Sequence, residues 1–399
     1  MNILLVHHRL PWPLNNGMDK LRFNLLRTLS IKHELTLIVP GTSSAGEEEI
    51  KKYVKQLIVV PVNDLKDNSL LFYIKRLLFL LLVQRPYYLS DCYSKLFDKH
   101  LRNFLRNNQF DLIHFLSDFS GLYLLSLSHI KNRIVLGPVD DNVQTSYENY
   151  INAQNFKDRL IFYINYIHIK RFYKRILLNS GKIYFHSQSD LENVVSRAEK
   201  LVNASVLPVA TEIDENIGNN SNEEPNSIVF VGGMGASFNQ EAVRYFMGSI
   251  FPLIQEKLPD IRFYIVGNHP PKDIVQLHDG KSIIVTGAVA SVDPYIAKAK
   301  VYVSSVRGGT GIKTKMVEAI KLSKAIVATE KALQGLWEID PIAISIQNDP
   351  LEFANAVVNI LSNDDLRLTM EKHARELFIN HYKFDKVSSR TLSEYSANF

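Results

Sequence analysis

A single cysteine, Cys92, stands in 399 residues. No intramolecular disulfide can form, and the chain suits a reducing compartment. A catalytic thiol would need a base beside it, and nothing near Cys92 in the sequence offers one. Long apolar runs are equally scarce. The longest, 70–83, is interrupted by Lys75 and Arg76 and is too short and too charged to span a bilayer. Residues 1–6 are apolar but lack a basic leader and run into His7, His8 and Arg9, which is not the pattern of a secretory signal. Excess charge is small: 46 Lys and Arg against 41 Asp and Glu leave +5, too little to suggest a nucleic-acid partner. Neither half has a tight GxGxxG after its first strand, so the fingerprint of an NAD-dependent oxidoreductase is missing. The expectation is a soluble cytoplasmic protein, at most peripheral on the inner face of a membrane.

What is present is a repeated alternation. NILLV (2–6), ELTLIVP (34–40), QLIVVPV (56–62), DLIHFL (111–116), RIVLGPV (133–139), KIYFHS (182–187) and VLPVA (206–210) are apolar runs of the kind buried on both faces of a sheet. An amphipathic helix reads over 18–30, with Leu21, Leu25, Leu26 and Leu29 on one side. The stretch 218–227, GNNSNEEPNS, has no apolar residue besides proline and reads as a linker. The pattern then restarts with SIVFVGG (227–233), RFYIVG (262–267), SIIVTG (282–287), KVYVSS (300–305) and AIVAT (325–329), with helices from about 240 and across 311–322. Strand–helix alternation builds parallel sheets covered on both faces. The fold expected is α/β with two Rossmann-like domains facing a cleft: 1–215, a linker 216–226, 227–380, and a terminal helix 381–399 packing back on the first domain.

The strongest chemical signal is VRGGTGIKTKMVEAIK (306–321). Gly308, Gly309 and Gly311 let backbone N–H groups approach an anion, and the helix that follows aims its N-terminus at the same place. Lys313 and Lys315 add positive charge at that helix start, where cations are unfavourable unless an anion answers them. The competing view is a tight turn with solvated lysines. Glu318, one turn in, is placed to hold ribose hydroxyls, or is an ordinary acid near a helix start. KDRLIFYINYIHIKRFYKR (157–175) carries six basic residues against one acid, interleaved with Ile, Phe and Tyr. Such a helix, with 70–85 beside it, can rest on an anionic membrane surface, or can cover the sheet with its lysines turned outward.

The 301–329 block resembles the donor-binding motif of glycosyltransferase family 4, a retaining family with the GT-B fold. Glu318–Ala319 matches the motif's second Glu. Its first Glu would fall at Thr310 and is absent, as in the branch whose loop reads Gly-Ser/Thr-Gly followed by basic residues. The resemblance implies Lys315 on the donor diphosphate and Glu318 on the ribose. It adds Gly309, Thr310, Gly311, Ile312 and Lys313 as donor-binding residues. FVGGMGASFNQEAVRYF (230–246) resembles the family's strand–glycine block, which implies Gly232 and Gly233 near phosphate or sugar. VTGAVASVDPYIAKAKVYV (285–303) implies Gly287 and Val289 near the nucleobase. In the first half, 11–39 resembles the family's first loop and helix. Gly17 would then approach the donor, and Lys20 and Arg22 would reach phosphate or acceptor unless they are helix-surface charges. Where many members carry a sugar-facing His, this chain reads GPVDDN, which makes Asp140 the candidate catalytic partner of the sugar, with Asp141 beside it. His114 would line the cleft or sit in the core.

The resemblance implies transfer of a hexosyl or other sugar from a nucleotide-diphosphate sugar to a glycan or polyprenyl-linked acceptor, with retention. Neither metal nor other cofactor is expected. Cell-surface polysaccharide synthesis is its natural setting. A catalytically silent GT-B partner of another transferase, or a sugar-nucleotide epimerase, are the alternatives.

Overall fold

The computed structural model describes residues 1–14, 17–41, 46–62, 92–153, 155–197, 203–207, 223–311 and 313–399. The chain divides into two compact units, Met1–Leu207 with Arg390–Phe399, and Pro208–Ser389. The apolar-basic run 70–85, Ile312 and most of the 216–226 linker lie outside the described residues.

In the first unit the strands are β1 (Asn2–Val6), β2 (Glu34–Pro40), β3 (Gln56–Val60), β4 (Leu112–Phe115), β5 (Ile134–Val139), β6 (Lys182–Phe185) and β7 (Ala204–Val206). They form a parallel sheet in the order β3-β2-β1-β4-β5-β6-β7. Its main helices are α1 (Gly17–Ser30), α2 (Lys95–Asn107), α3 (Asn142–Ile151), α4 (Phe156–Leu178) and α5 (Gln188–Arg197). Alternation along each strand sorts the core into two layers. Ile3 and Leu5 face Phe23, Leu26 and Leu29 of α1, together with Tyr395 from the far end of the chain. Leu4 and Val6 face Phe97 and Leu101 of α2 and Ile169, Phe172 and Ile176 of α4.

The second unit repeats the plan with β8 (Ser227–Val231), β9 (Arg262–Val266), β10 (Ile283–Gly287), β11 (Val301–Ser304), β12 (Ala325–Ala328) and β13 (Ile344–Ile346), ordered β10-β9-β8-β11-β12-β13 and parallel. Its helices include α6 (Ser237–Tyr245), which passes through a π-turn into α7 (Phe251–Lys257), then α8 (Thr314–Lys321), α9 (Pro350–Ser362) and α10 (Asp364–Leu377). The last helix, α11 (Phe384–Asn398), begins in the second unit and ends in the first. Its end is fastened there by Tyr395, whose ring stacks on Tyr184 at 5.5 Å, and by Glu394, which meets Lys182 at 3.4 Å. Both units are thus Rossmann-like α/β layers. Among the described residues, no helix is long and apolar enough to cross a membrane.

Candidate active site

Each sheet reverses its strand order next to its first strand, between β1 and β4 and between β8 and β11. In open parallel sheets, ligands bind at the carboxyl ends of the strands at such a reversal. In the second unit those ends carry the two glycine segments singled out above.

The loop after β8 is set by backbone contacts. Gly232 N–H donates to Val266 O (2.9 Å) and Met234 N–H to Asn268 O (2.9 Å). A Cβ on Gly267 would lie 1.8 Å from Gly232 O, and one on Gly232 would lie 2.9 Å from the Asn239 side chain. These glycines let two strand ends pass at backbone distance. Gly233 is held from the helix side, where Asn239 Nδ2 donates to its carbonyl at 2.9 Å.

The loop after β11 is more informative. Gly309 and Gly311 take φ of +82° and +74°, which only glycine adopts without strain. Lys313 turns back into the loop. Its ammonium donates to the carbonyls of Thr310 (3.0 Å), Gly309 (3.2 Å) and Gly311 (3.4 Å) and lies 4.9 Å over the Phe238 ring. A trans peptide points its N–H opposite to its C=O. Three carbonyls gathered on one cation therefore turn the N–H groups of Thr310 and Gly311 the other way. That is the geometry of an anion cradle. Lys313, expected among the donor-binding residues, holds the carbonyls of this loop together.

Lys315 and Glu318 lie one turn apart on α8, and Lys315 Nζ donates to Glu318 Oε2 at 2.8 Å. Glu318 is buried, whereas Lys315 keeps 29% of its side chain exposed. Burial and the nearby Glu318 carboxylate push the Tyr302 phenol on β11 well above its ordinary range. Gly287 ends the edge strand β10 at φ +67° with open space where a Cβ would stand. Val289, just beyond, packs half-buried against the core.

In the first unit the structure regroups the expected residues around Arg22. This side chain is 2% exposed. Its guanidinium donates to Pro138 O (2.8 Å) and meets His186 Nε2 at 2.9 Å. Burial lowers its pKa to about 10, against the pull of Asp140, Asp118 and Asp19. It is thus neither a helix-surface charge nor a flexible arm to a ligand, but the buried positive centre of the polar end of this sheet. Gly137 makes the arrangement possible. It has φ +114°, a Cβ there would meet Tyr184 O at 2.3 Å, and the β5–β6 register shifts between Leu136 and Val139. Such a bulge re-aims its carbonyls: Gly137 O toward His114, Pro138 O toward Arg22. Asp140 follows, half-buried and within the field of Arg22. Gly17 opens α1, and Lys20 lies half-buried one turn on.

Two expected residues do other work. His114, read as a possible cleft residue, is fully buried. Its Nε2 lies 2.6 Å from Gly137 O and its Nδ1 2.7 Å from Tyr395 Oη, so both ring nitrogens are used inside the core. Asp141, expected beside the sugar-facing Asp140, has no exposed side-chain surface. It caps α3 by accepting from Gln144 N–H (3.1 Å) and pairs with Arg197. Its carboxylate is consumed by structure.

The polar cluster also holds residues not singled out from sequence: His7 and His8 after β1, Ser117 and Asp118 after β4, and His186 after β6. Ser117 Oγ lies 3.4 Å from His7 Nδ1 and 3.5 Å from His8 Nδ1. Asp118 accepts from Tyr173 Oη (2.7 Å) and Asn142 Nδ2 (2.8 Å). Burial, reinforced by neighbouring positive charge, lowers the pKa of His8 to about 3 and holds His7 and His186 well below the usual imidazole range. All three are neutral at pH 7. The available signal was positional: polar residues directly after an apolar strand, on strands flanking the reversal.

Two parallel α/β units with glycine-bearing loops at the reversal are the GT-B fold. Residues 225–363, most of the second unit, match the family described as Glycosyl transferases group 1. Sucrose-phosphate synthase from Thermosynechococcus elongatus has the same fold: TM-score 0.67, 14% identity, covering 99% of this chain and 98% of that one. Anabaena HepE in complex with UDP and glucose follows at 0.64 and 11%, with full coverage of both chains. WaaG, a glycosyltransferase involved in lipopolysaccharide biosynthesis, gives 0.59 and 12%, covering 97% of this chain and 98% of its own. No curated protein matches the chain by sequence at a significant level.

Proposed function

We propose that the protein transfers a sugar, of the hexose class, from a nucleotide-diphosphate sugar to a glycan or polyprenyl-linked acceptor. Transfer proceeds with retention, in cell-surface polysaccharide synthesis on the cytoplasmic face of a membrane. The observation that carries this reading is the β11–α8 loop. Carbonyls drawn to Lys313, N–H groups turned opposite, and the Lys315–Glu318 pair at the helix start suit a diphosphate with its ribose. The match of residues 225–363 to Glycosyl transferases group 1 supports it.

Sugar transfer develops positive charge on the anomeric centre and negative charge on the departing diphosphate. Lys315 and the cradle N–H groups meet the second charge without a divalent ion, which is the metal independence proposed here. Glu318 accepts from ribose hydroxyls while Lys315, with three N–H donors, bridges carboxylate and phosphate. Gly232 and Gly233 leave room for the donor beside β8, and Gly287 and Val289 border the base. In the first unit Asp140 is the proposed polar partner of the sugar, oriented by Arg22.

The test is thermal stabilisation by UDP, GDP, ADP, CMP and dTDP, with and without EDTA. One nucleotide at about 100 times its Kd should add roughly 2.7 kcal/mol, or about 5–10 °C for a unit of this size. Lys315→Ala and Glu318→Ala should each abolish most of that shift. Absence of a shift with every nucleotide would reject the donor site and favour a catalytically silent partner of another transferase.

A further inference from the structure

Helix α4 is two structures in one. Its second half is ordinary: His168, Ile169, Phe172, Tyr173, Ile176 and Leu177 are buried in the first unit. Its first half and the helix before it are different. Every described residue across 147–167, the end of α3 and the start of α4, is exposed or half-exposed. Yet this stretch is rich in large apolar side chains. Phe156 is 84% exposed, Leu160 50%, Ile151 48% and Ile161 47%. The two helices meet through tyrosine pairs, Tyr150–Tyr163 at 5.2 Å and Tyr147–Tyr166 at 5.5 Å, so the hairpin is internally ordered while its outer surface is bare. A monomeric water-facing surface rarely carries so many apolar side chains side by side.

The charges around it indicate the occupant. All six basic residues of α4, from Lys157 and Arg159 to Lys174 and Arg175, are exposed, against one acid, Asp158. An anionic bilayer offers apolar depth bordered by negative headgroups, and tyrosines are the side chains that favour that border. We infer that the α3–α4 tip inserts into the interface of an anionic membrane, led by Phe156 and Leu160, with Lys157 and Arg159 beside them on the headgroups. This differs from a helix lying flat along its length, because the buried half of α4 is committed to the core. The inference rests on the proposed membrane setting and extends it; the donor site stands on other residues.

Sedimentation of the full chain with vesicles tests it, comparing pure phosphatidylcholine with a mixture containing phosphatidylglycerol. The wild type should bind the anionic vesicles and release as salt rises. Phe156→Asp with Leu160→Asp should weaken binding at least roughly tenfold, since each removes a buried apolar side chain. Lys157→Glu with Arg159→Glu should weaken it by a similar factor through charge alone. Both variants should keep the wild-type melting temperature and nucleotide shift. Wild-type failure to bind would overturn the tip and the membrane setting together. Binding unchanged by Phe156→Asp with Leu160→Asp would overturn the tip and leave the setting. A lipid-free dimer that this double variant dissolves would replace the bilayer with a second copy of the chain.

Discussion

Adjacent glycines in the β11–α8 loop should differ sharply in their response to one methyl group. At Gly309 the backbone has φ +82°, and an added Cβ would stand 2.7 Å from Phe238 Cδ1 and 2.9 Å from Cγ. The left-handed backbone costs a residue with a Cβ about 1–2 kcal/mol, and forcing a carbon against a packed ring costs about 1–3 kcal/mol. The central expectation for Gly309→Ala is about 3 kcal/mol, or roughly 6–12 °C for a unit of this size. At Gly308 the nearest atom to an added Cβ is Phe238 Cβ at 3.9 Å, ordinary contact, and φ is not in the left-handed region. Gly308→Ala should stay within about 0.5 kcal/mol of wild type. Differential scanning fluorimetry with and without the nucleotide that stabilises the wild type reads both effects. Gly309→Ala should also lose the nucleotide shift, because the turn that aims the Thr310 and Gly311 N–H groups is the turn the methyl disturbs. Adding Phe238→Ala should return the steric part and leave the backbone part, a coupling of about 1 kcal/mol or more. Equal melting temperatures and equal nucleotide shifts for Gly308→Ala and Gly309→Ala would refute the account of this loop.

Three further outcomes follow from the first unit. Burial holds the His114 pKa down at about 3. Below pH 6.5 the unfolded chain binds a proton that the folded chain refuses, so stability is full above that pH and falls as pH drops toward 3, by up to about 1.4 kcal/mol per unit. Urea titrations between pH 7 and 4 should show a shallower fall for His114→Gln. Tyr395→Phe removes the hydroxyl at 2.7 Å from His114 Nδ1 and should cost about 1–3 kcal/mol; limited proteolysis should then release the end of α11 sooner. Asp141→Ala loses the α3 cap and should cost about 1–2 kcal/mol, while Asp141→Asn, which still caps, should recover about half in a thermal melt.

Much of the architecture was legible because it is written locally. Apolar runs of four to seven residues marked β1, β2, β4, β5, β6, β8, β9 and β11 to within a residue or two, since strands buried on both faces carry no polar alternation. The 308–315 glycine–lysine segment was legible for the same reason: positive φ and cradle-forming backbone belong to consecutive residues. The site in the first unit was not. Arg22 and His186 are 164 positions apart and His114 and Tyr395 are 281 apart, so nothing within a sequence window distinguishes a charge at the cluster's heart from one on a helix surface. His114 was left between cleft and core, and Asp141 beside the sugar-facing Asp140, because the bulge at Gly137 and the cap of α3 settle where they point. The short strand β13 and helix α3 carried too little pattern to stand out.

The sequence by itself therefore determined the two alternating α/β halves, the reversal-side loops and the glycine–lysine turn before α8, all properties of nearest neighbours along the chain. Only the tertiary structure decided which polar residues gather around Arg22, which histidine is core, and which half of α4 is left bare. Those outcomes depend on which strands become neighbours and on burial, and burial is a property of the packed unit that no single segment possesses.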